Sequence, residues 1–347
     1  MYQIAKLKPE DRAVLFNSYA IQTGLSPVVV EKDFWVTLVL DYLFHHSKFA
    51  ASFTFKCGTS LSKCFHIIDR FSEDIDLILD WKTLGFPANE PYQNRSHTAQ
   101  LKYNQEVEDA ATKFIVSQIL PDLEKGFAEI LREAPQFQLG EGDGHIINFY
   151  YPSTFNIRSA GILPCVRLEI GPLAETTPSV EKEISPLICG MNIPFVQTTS
   201  TRVRVISPER TFWEKVLILH QEANRPERKL VDGVERYNPI PRRYARHYYD
   251  VWKISLTDYK RKAMDNIDLL RQVIAFKNKF YRYSWNRLDE CVPGSIRLVP
   301  PSFRMAELRK DFESMKEMIH GDSVKNFDDL MGHLSALEKE LNEHSAD

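Results

Sequence analysis

The sequence predicts an α+β protein, with a small mixed β-sheet and flanking helices in residues 1–206 and a mainly helical part in residues 207–347. Short alternating runs rich in Val, Ile and Phe, which are typical of strands, are confined to the first part. Helical periodicity dominates after Ser207-Pro208. This pair marks the start of a helix, because Ser suits the N-cap and Pro suits the first helical position. A chain of 347 residues can form two moderate domains, so we place a boundary between residues 206 and 207.

The N-terminal 46 residues are predicted to be helical, and one helix starts at Ser26-Pro27. Phe53-Thr-Phe55 is a short predicted strand that leads into a turn at Cys57-Gly-Thr-Ser60. We then expect a helix over Leu61–Ile68 and a second strand over Asp74–Leu79. This strand–turn–helix–strand order brings the glycine of the turn beside the second strand.

The remaining elements follow from hydrophobic periodicity and from the positions of Pro and Gly. Residues 81–95 are polar and contain two prolines, which predicts a loop. A long helical region covers Ala99–Leu131, with Pro121 as a candidate break, and Gly140–Gly144 forms a turn. Further strands are predicted over His145–Tyr151, Cys165–Ile170 and Thr201–Ile206. Helices are predicted over Glu209–Glu222, Arg242–Leu256, Met264–Tyr281, Phe303–His320 and Val324–Asn342.

The composition excludes several classes of protein. Hydrophobic residues at 43% and aromatic residues at 12% are sufficient for a large core, so a disordered chain is excluded. The net charge of −3 gives no global signal for nucleic acid or for an acidic membrane. The start of the chain lacks a signal-peptide pattern and no apolar run reaches about 18 residues, so we expect a cytoplasmic protein with no membrane partner. The five cysteines are scattered without a C-x-x-C pair, which predicts free thiols.

The acidic strand carries the strongest chemical signal. Asp74 and Asp76 lie two residues apart in an apolar run, so both carboxylates project from one face, with their Cα atoms roughly 6–7 Å apart. Carboxylate oxygens at this spacing suit a hard cation such as Mg²⁺. The upstream turn at Gly58, Thr59 and Ser60 offers backbone N–H groups and hydroxyls for a phosphate. A D-x-D pair alone is also common on exposed edge strands, but the combination points to metal-assisted phosphoryl or nucleotidyl transfer.

Glu169 is a second candidate acid. Arg167 and Glu169 share one face of their strand, and Glu169 could supply a third carboxylate if that strand pairs with the Asp74 strand. It could then hold a metal ion or take a proton from an attacking hydroxyl. A cross-strand Arg–Glu ion pair on a hydrated sheet face is the alternative.

Two candidates lie in the helical part. Lys215 borders the buried stripe of its helix, where its stem could reach a pocket and neutralise phosphate charge, although a solvated lysine is the plainer interpretation. Asp250 shares a helical face with Arg243, Arg246 and His247, which indicates either an intrahelical ion-pair ladder or the wall of an anion-binding cleft. The surrounding segment, residues 225–262, interleaves basic and aromatic residues, a pattern that weakly favours a nucleic-acid or nucleotide partner.

These motifs together resemble the AbiEii/AbiGii-type toxin nucleotidyltransferases of the DNA polymerase β-like superfamily. The resemblance rests on Lys56-Cys-Gly-Thr-Ser-Leu-Ser-Lys63 and Arg70-Phe-Ser-Glu-Asp-Ile-Asp-Leu77, and more loosely on Ser207–Lys215, Arg246-His-Tyr-Tyr-Asp250 and Glu31-Lys-Asp-Phe-Trp35. Cys57 departs from the pattern, because the family usually has a glycine there. Since the turn needs close backbone approach mainly at the following glycine, we expect a modest effect.

The resemblance implies a Mg²⁺-dependent enzyme, with Mn²⁺ as an alternative, that transfers a nucleotide from an NTP to an RNA end such as the tRNA acceptor end. It makes Asp74 and Asp76 the metal ligands and Asp250 a further active-site acid, while Glu169 falls where the superfamily often has a third carboxylate. Candidate nucleotide contacts are Gly58, Thr59, Ser60, Lys63, Arg70 and Lys215. Candidate RNA contacts are Arg242, Arg243 and Arg246. A cognate antitoxin is the implied protein partner, and the second domain is expected to complete the active-site cleft.

Three alternatives stay open at this point. The same active site could modify a protein or a small molecule, or the chain could be a non-catalytic nucleotide-binding protein. A phosphodiesterase or nuclease would also use paired acids, but it would not need the Gly58 turn or Lys215.

Overall fold

The chain divides into two compact units. The computed structural model describes residues 1–70, 72, 74–155, 165–191, 200–283, 285–315, 319 and 326–343. One unit comprises Met1–Cys64 and Ser72–Ile206, and the other comprises Phe65–Phe71 and Ser207–Asp347. The division after residue 206 falls where the sequence suggests a boundary, but nothing in the sequence pattern assigns residues 65–71 to the second unit.

The first unit is built on a seven-stranded mixed sheet. Its strands are β1 (Phe53–Lys56), β2 (Asp74–Leu79), β3 (Gln136–Gly140), β4 (Asp143–Tyr150), β5 (Val166–Gly171), β6 (Ser179–Ile184) and β7 (Thr201–Ile206). The spatial order is β3-β4-β5-β2-β1-β7-β6, so β2 and β1 occupy the interior of the sheet. The β2–β5 and β1–β7 pairs are parallel and the other pairs are antiparallel.

In the described part of this unit, six helices accompany the sheet. They are α1 (Tyr2–Ala5), α2 (Pro9–Thr23), α3 (Pro27–Asp41), α4 (Cys57–Lys63), α5 (His97–Phe114) and α6 (Leu120–Ile130). Helix α3 is apolar on nearly all sides, which is the pattern of a core helix, and it contacts both β5 and β7. Turns of π-helix extend α3 through Tyr42–His46 and join α5 to α6 through Ile115–Ile119.

The α+β class and the five predicted strands are confirmed, but the sheet is larger than expected. Strands β3 and β6 lie at its two edges and are largely exposed, so they lack the apolar run that marks a buried strand. The helix expected over Leu61–Ile68 is wrong in position, because α4 starts four residues earlier and ends at Lys63. Pro121 does not break the long helical region, since it occupies the first turn of α6, where a missing N–H is tolerated.

Within its described residues, the second unit is mainly helical and contains a two-stranded hairpin. Its helices are α7 (Pro208–Asn224), α8 (Ala245–Ser255), α9 (Asp258–Met264), α10 (Ile267–Phe280), α11 (Ser302–Met315) and α12 (Phe327–Glu343). The predicted helix over Met264–Tyr281 corresponds to α10 alone, and the predicted end at His320 and start at Val324 lie outside the described residues. Strands β8 (Arg228–Val231) and β9 (Val234–Tyr237) form a two-stranded hairpin that the sequence interpretation missed. Asp232-Gly233 connects them, a dipeptide typical of such turns, and both residues have positive φ.

Shorter features complete the description. Single 3₁₀ turns cover Ala50–Ser52, Trp81–Leu84, Glu90–Tyr92, Leu187–Gly190 and Leu288–Glu290, two of them within the expected loop of residues 81–95. The five cysteines, all within the described residues, form no disulfide bonds, as predicted. Over the described ranges no single helix has the length and apolar character to cross a membrane, although the bent pair Pro9–Thr23 and Pro27–His46, at 116°, passes that test jointly.

Candidate active site

Strand β2 presents its two acids on one face. Ile75 and Leu77 are fully buried, whereas Asp74 and Asp76 are partly exposed, so burial alternates over the first four residues of the strand. On the neighbouring parallel strand β5, Glu169 is the register partner of Asp76. Paired residues of adjacent strands project to the same face, and the strands lie about 4.8 Å apart. The strand pairing on which the Glu169 prediction depends is therefore present.

Glu169 also has a neighbour of opposite charge. Arg167 Nη1 lies 3.9 Å from Glu169 Oε1 on the same strand, and both side chains are more than a third exposed. The alternative interpretation of Glu169 is an ion pair between two strands, whereas the observed ion pair joins two residues of β5. A long, solvated ion pair of this kind contributes little to stability, so it does not prevent Glu169 from binding a metal ion or a proton. That chemical role of Glu169 stays a prediction.

The residue types on this face fit a hard cation. Asp74, Asp76 and Glu169 offer only carboxylate oxygens, which are the ligands that Mg²⁺ prefers. Among the described residues no group of three or more His, Cys, Asp or Glu side chains is close enough together to hold a metal ion by itself. Mg²⁺ is commonly held by one or two carboxylates together with substrate phosphates, and a carboxylate pair on β2 matches that donor set.

Gly58, Thr59 and Ser60 lie in the first turn of α4, not in a free turn as predicted. Thr59 Oγ1 donates to the backbone carbonyl of Asp74 at 2.5 Å and lies 2.9 Å from Ser72 Oγ. Ser60 Oγ donates to the carbonyl of Cys57 at 2.8 Å. Thr59 therefore ties α4 to the first residue of the acidic strand, while the phosphate-contact roles of this turn stay predictions.

Lys63 ends the same helix and is engaged within the first unit. Its Nζ lies 2.5 Å from Asp33 Oδ1, and its side chain is only 7% exposed. Asp33 Oδ2 also accepts a hydrogen bond from the backbone N–H of Leu187 at 2.7 Å. Lys63 thus links α4 to α3, and its role as a nucleotide contact stays a prediction.

A buried ion cluster occupies the second unit. Asp250, on α8, is fully buried and accepts hydrogen bonds from Arg70 Nε at 2.7 Å and Arg70 Nη2 at 2.8 Å. Lys215 Nζ, on α7, lies 2.9 Å from Asp250 Oδ2. Burial alone would raise the pKa of Asp250, but Arg70 and Lys215 outweigh it and hold that pKa below its ordinary value. The carboxylate is therefore ionised at neutral pH, with two cations fixed against it.

This cluster corrects two interpretations of the helical part. The interpretation of Lys215 as a solvated lysine is wrong, because its side chain is 7% exposed and ion-paired. The intrahelical ladder is wrong for Asp250, because its partners come from α7 and from residue 70. Helix α8 starts at Ala245, so Arg243 precedes it, with a positive φ of 59°. Sequence reasoning could not find the Arg70–Asp250 pair, because its members are 180 residues apart and no local signal joins them.

His247 belongs to the same cluster. Its Nδ1 lies 3.5 Å from Lys215 Nζ, and its ring meets that of Tyr244 edge-on at 5.0 Å. Burial and the neighbouring cations Lys215 and Arg246 lower the pKa of His247 well below its ordinary value. The imidazole is therefore neutral at neutral pH and can accept a hydrogen bond from the lysine ammonium.

The candidate RNA contacts lie on the surface of the second unit. Arg242, Arg243 and Arg246 are all exposed. The backbone N–H of Arg243 donates to Asp311 Oδ1 at 2.6 Å, which anchors the segment before α8 to α11. Exposure makes these arginines accessible to a polyanion, and their role stays a prediction.

Comparison with known proteins identifies the family. The solved structure of MenT4, a nucleotidyltransferase toxin from Mycobacterium tuberculosis H37Rv, matches with a TM-score of 0.42 and 14% identity, over 94% of this chain and 98% of that one. No curated protein matches the sequence. The family model described as nucleotidyl transferase AbiEii toxin, type IV toxin–antitoxin system, matches residues 40–333, which include the acidic strand, Lys215 and Asp250. The chain therefore belongs to the AbiEii family of nucleotidyltransferase toxins of type IV toxin–antitoxin systems.

Proposed function

We propose that this nucleotidyltransferase uses Mg²⁺ and an NTP to add a nucleotide to an RNA end, with the tRNA acceptor end as the leading candidate. The observation that carries the proposal is the pair of partly exposed carboxylates, Asp74 and Asp76, on one face of β2. A pair of carboxylates that is completed by substrate phosphates is a common way to bind Mg²⁺, and Glu169 is the register partner of Asp76 on the neighbouring strand.

The carboxylates of β2 have a defined task in this reaction. Asp74 and Asp76 would hold the metal ion, which when bound neutralises phosphate charge and favours deprotonation of the attacking hydroxyl. Thr59 fixes the start of β2 through the Asp74 carbonyl, and so limits movement of the first ligand. Glu169, the register partner of Asp76, stays a candidate third ligand or proton acceptor.

The transfer itself is a phosphoryl-type displacement. The acceptor hydroxyl oxygen forms a bond to the α-phosphorus in line with the bond that breaks, and pyrophosphate leaves with the electron pair. Positioning and charge neutralisation provide most of the catalysis in such reactions. Lys215 and Arg70 would provide positive charge for the triphosphate, and Arg70 precedes Asp74 by only four residues in the chain.

The test of this proposal uses purified protein, Mg²⁺, total tRNA and each of the four NTPs labelled at the α-phosphate. We expect wild type to label tRNA with one or a few NTPs, and Asp76→Asn to reduce labelling by at least about 100-fold, because a carboxylate ligand becomes a weaker amide ligand. Glu181→Gln, an exposed acid on β6 of the same sheet, is the matched control and should keep full activity.

Two outcomes would contradict the proposal. If a folded Asp76→Asn protein were as active as wild type, the assignment of chemistry to β2 would be wrong. If NTP bound but no label entered tRNA, the acceptor would have to be sought among proteins or small molecules, which removes the RNA part of the proposal.

The RNA contact is tested separately by salt dependence. Each phosphate neutralised by a basic side chain contributes roughly 0.7–0.9 to the slope of log K against log salt. We expect replacement of Arg242, Arg243 and Arg246 by Gln to weaken tRNA binding and to lower that slope by about two to three. Replacement of the exposed lysines Lys102 and Lys113 on α5 is the control. An unchanged slope in the arginine variant would place the RNA elsewhere.

Membership of a toxin–antitoxin family implies a cognate antitoxin. We propose that this partner suppresses the nucleotidyl transfer described above. Co-expression of the neighbouring gene product should relieve growth arrest caused by wild type, whereas Asp76→Asn should cause no arrest with or without it.

A further inference from the structure

The buried acid Asp250 raises a question about its role, because the family resemblance makes it an active-site acid. Its side chain is 0% exposed. A carboxylate has about four acceptor positions, and three here receive donors, two from Arg70 and one from Lys215. An acid surrounded in this way has little capacity left for a substrate or a metal ion.

The two cations that bind Asp250 differ from it, because neither is completely buried. Arg70 and Lys215 are 6% and 7% exposed, so each reaches the edge of the buried region while Asp250 does not. Both bind the same carboxylate, and the neutral His247 lies against Lys215 at 3.5 Å. The same buried carboxylate therefore fixes two cationic side chains that each keep a small exposed surface.

The geometry of the contacts favours fixed orientation over simple charge pairing. Arg70 binds through two parallel N–H donors, Nε and Nη2, which is the bidentate arrangement that fixes a guanidinium in plane. Lys215 is held from two directions, by Asp250 and by His247. The lysine ammonium carries three donors, so one more is directed away from these two acceptors.

We infer that Asp250 is a positioning residue, which acts through Arg70 and Lys215 by holding both cations in the orientation that binds the phosphates of the NTP and the departing pyrophosphate. This inference rests on the proposed contact between these cations and the triphosphate. It assigns the direct contacts to Arg70 and Lys215, and it removes Asp250 from the residues that touch substrate or metal.

A mutant cycle tests this assignment by comparing Asp250→Asn in wild type and in an Arg70→Gln/Lys215→Met background, with the radiolabel assay as readout. If Asp250 acts only through the two cations, Asp250→Asn should lower kcat/KM at least about tenfold in wild type and at most about threefold in the double variant. A further loss of about tenfold or more in the double variant would mean that Asp250 itself contacts the reacting groups, and would overturn the inference. Glu340→Gln, an exposed acid on α12, is the control for nonspecific loss.

A second variant covers the case in which Asp250→Asn does not fold. Asp250→Glu keeps the charge but moves the carboxylate by one methylene, so the net charge of the cluster is unchanged while the two cations are displaced. We expect Asp250→Glu to fold and to weaken binding of inorganic pyrophosphate at least about tenfold. In the Arg70→Gln/Lys215→Met background, the same substitution should leave pyrophosphate binding unchanged. Pyrophosphate affinity equal to wild type in a folded Asp250→Glu protein would contradict the inference.

A labelling measurement needs no catalytic activity and so separates the two proposals. Lys215 is buried and ion-paired, whereas Lys229 on β8 is exposed, so acetic anhydride should acetylate Lys215 at least about tenfold more slowly. Asp250→Asn should raise the rate at Lys215 at least about threefold and leave Lys229 unchanged. Faster labelling in a protein that transfers no nucleotide would retain the positioning of Lys215 and reject the proposed function. An unchanged rate would reject the positioning itself.

Discussion

At the scale of single residues, Cys57 has a backbone conformation that costs stability. Its φ is 66°, in the left-handed region that favours glycine. Relief of this strain by Cys57→Gly should exceed the entropy that glycine loses on folding, and raise the free energy of unfolding by about 0.5–1 kcal/mol. Urea denaturation measures the change.

The matched control for this change is Cys57→Ala. Alanine removes the thiol but keeps the Cβ atom that strains a left-handed backbone, so no stabilisation is expected. If alanine stabilised the protein as much as glycine does, the thiol and not the backbone would be the source of the effect.

His220 makes a pH-dependent contribution to stability. Burial lowers its pKa, and its ring is held as a neutral tautomer, because Nδ1 accepts from the Arg297 N–H at 3.1 Å and Nε2 donates to the Arg287 carbonyl at 3.1 Å. A lowered folded-state pKa means that the contribution is complete above the unfolded value of about 6.5 and is lost as the pH falls through the folded value. Wild type should therefore be less stable at pH 5 than at pH 7.5.

The substitution His220→Gln separates this effect from other titrations. It should lower the free energy of unfolding at pH 7.5 by about 1–2 kcal/mol, because one buried hydrogen bond is lost, and reduce the difference between pH 5 and pH 7.5. His97→Gln, an exposed histidine at the start of α5, is the control. An identical pH dependence in wild type and His220→Gln would contradict this role.

At the scale of elements, helix α6 depends on a glycine for its packing. A Cβ atom at Gly126 would lie 2.1 Å from the ring of Tyr42, whose hydroxyl is held by the carbonyl of Asp122 at 2.7 Å. Gly126→Ala should therefore lower the free energy of unfolding by at least about 2 kcal/mol, although alanine is the better helix former. A Cβ atom at Gly332 in α12 would meet only open space, so Gly332→Ala should raise the free energy of unfolding by about 0.5–1 kcal/mol. Equal effects at the two glycines would contradict the packing argument.

The elements that could be predicted from the sequence are those whose signal is local. Strand β2 and helix α7 follow from alternation and from a Ser-Pro start, and both are found where they are expected. The edge strands β3 and β6 escape detection because their pairing, and not their own apolar content, makes them strands. The Asp74–Asp76 face could be predicted for the same local reason, whereas the partners of Asp250 depend on tertiary contacts and could not.

At the scale of the whole molecule, the continuous stretch from residue 57 to residue 79 contributes to both compact units. Residues 57–63 and 74–79 belong to the first unit, and the segment between them, through residue 71, belongs largely to the second. Within the second unit this segment is held by Arg70 on Asp250 and by Asp69, whose Oδ2 lies 2.6 Å from Lys253 Nζ. A continuous sequence motif therefore contributes residues to both units, which a linear division at residue 206 cannot represent.

The central claim is nucleotidyl transfer by the acidic face of β2, and the position of the label in the NTP tests it most directly. Wild type would be incubated with tRNA and one NTP labelled at either the α- or the γ-phosphate, with Asp76→Asn in parallel. We expect α-label to enter tRNA and γ-label to be released only as pyrophosphate, and we expect Asp76→Asn to give neither product. Transfer of γ-label to the acceptor, or equal α-labelling by a folded Asp76→Asn protein, would contradict it.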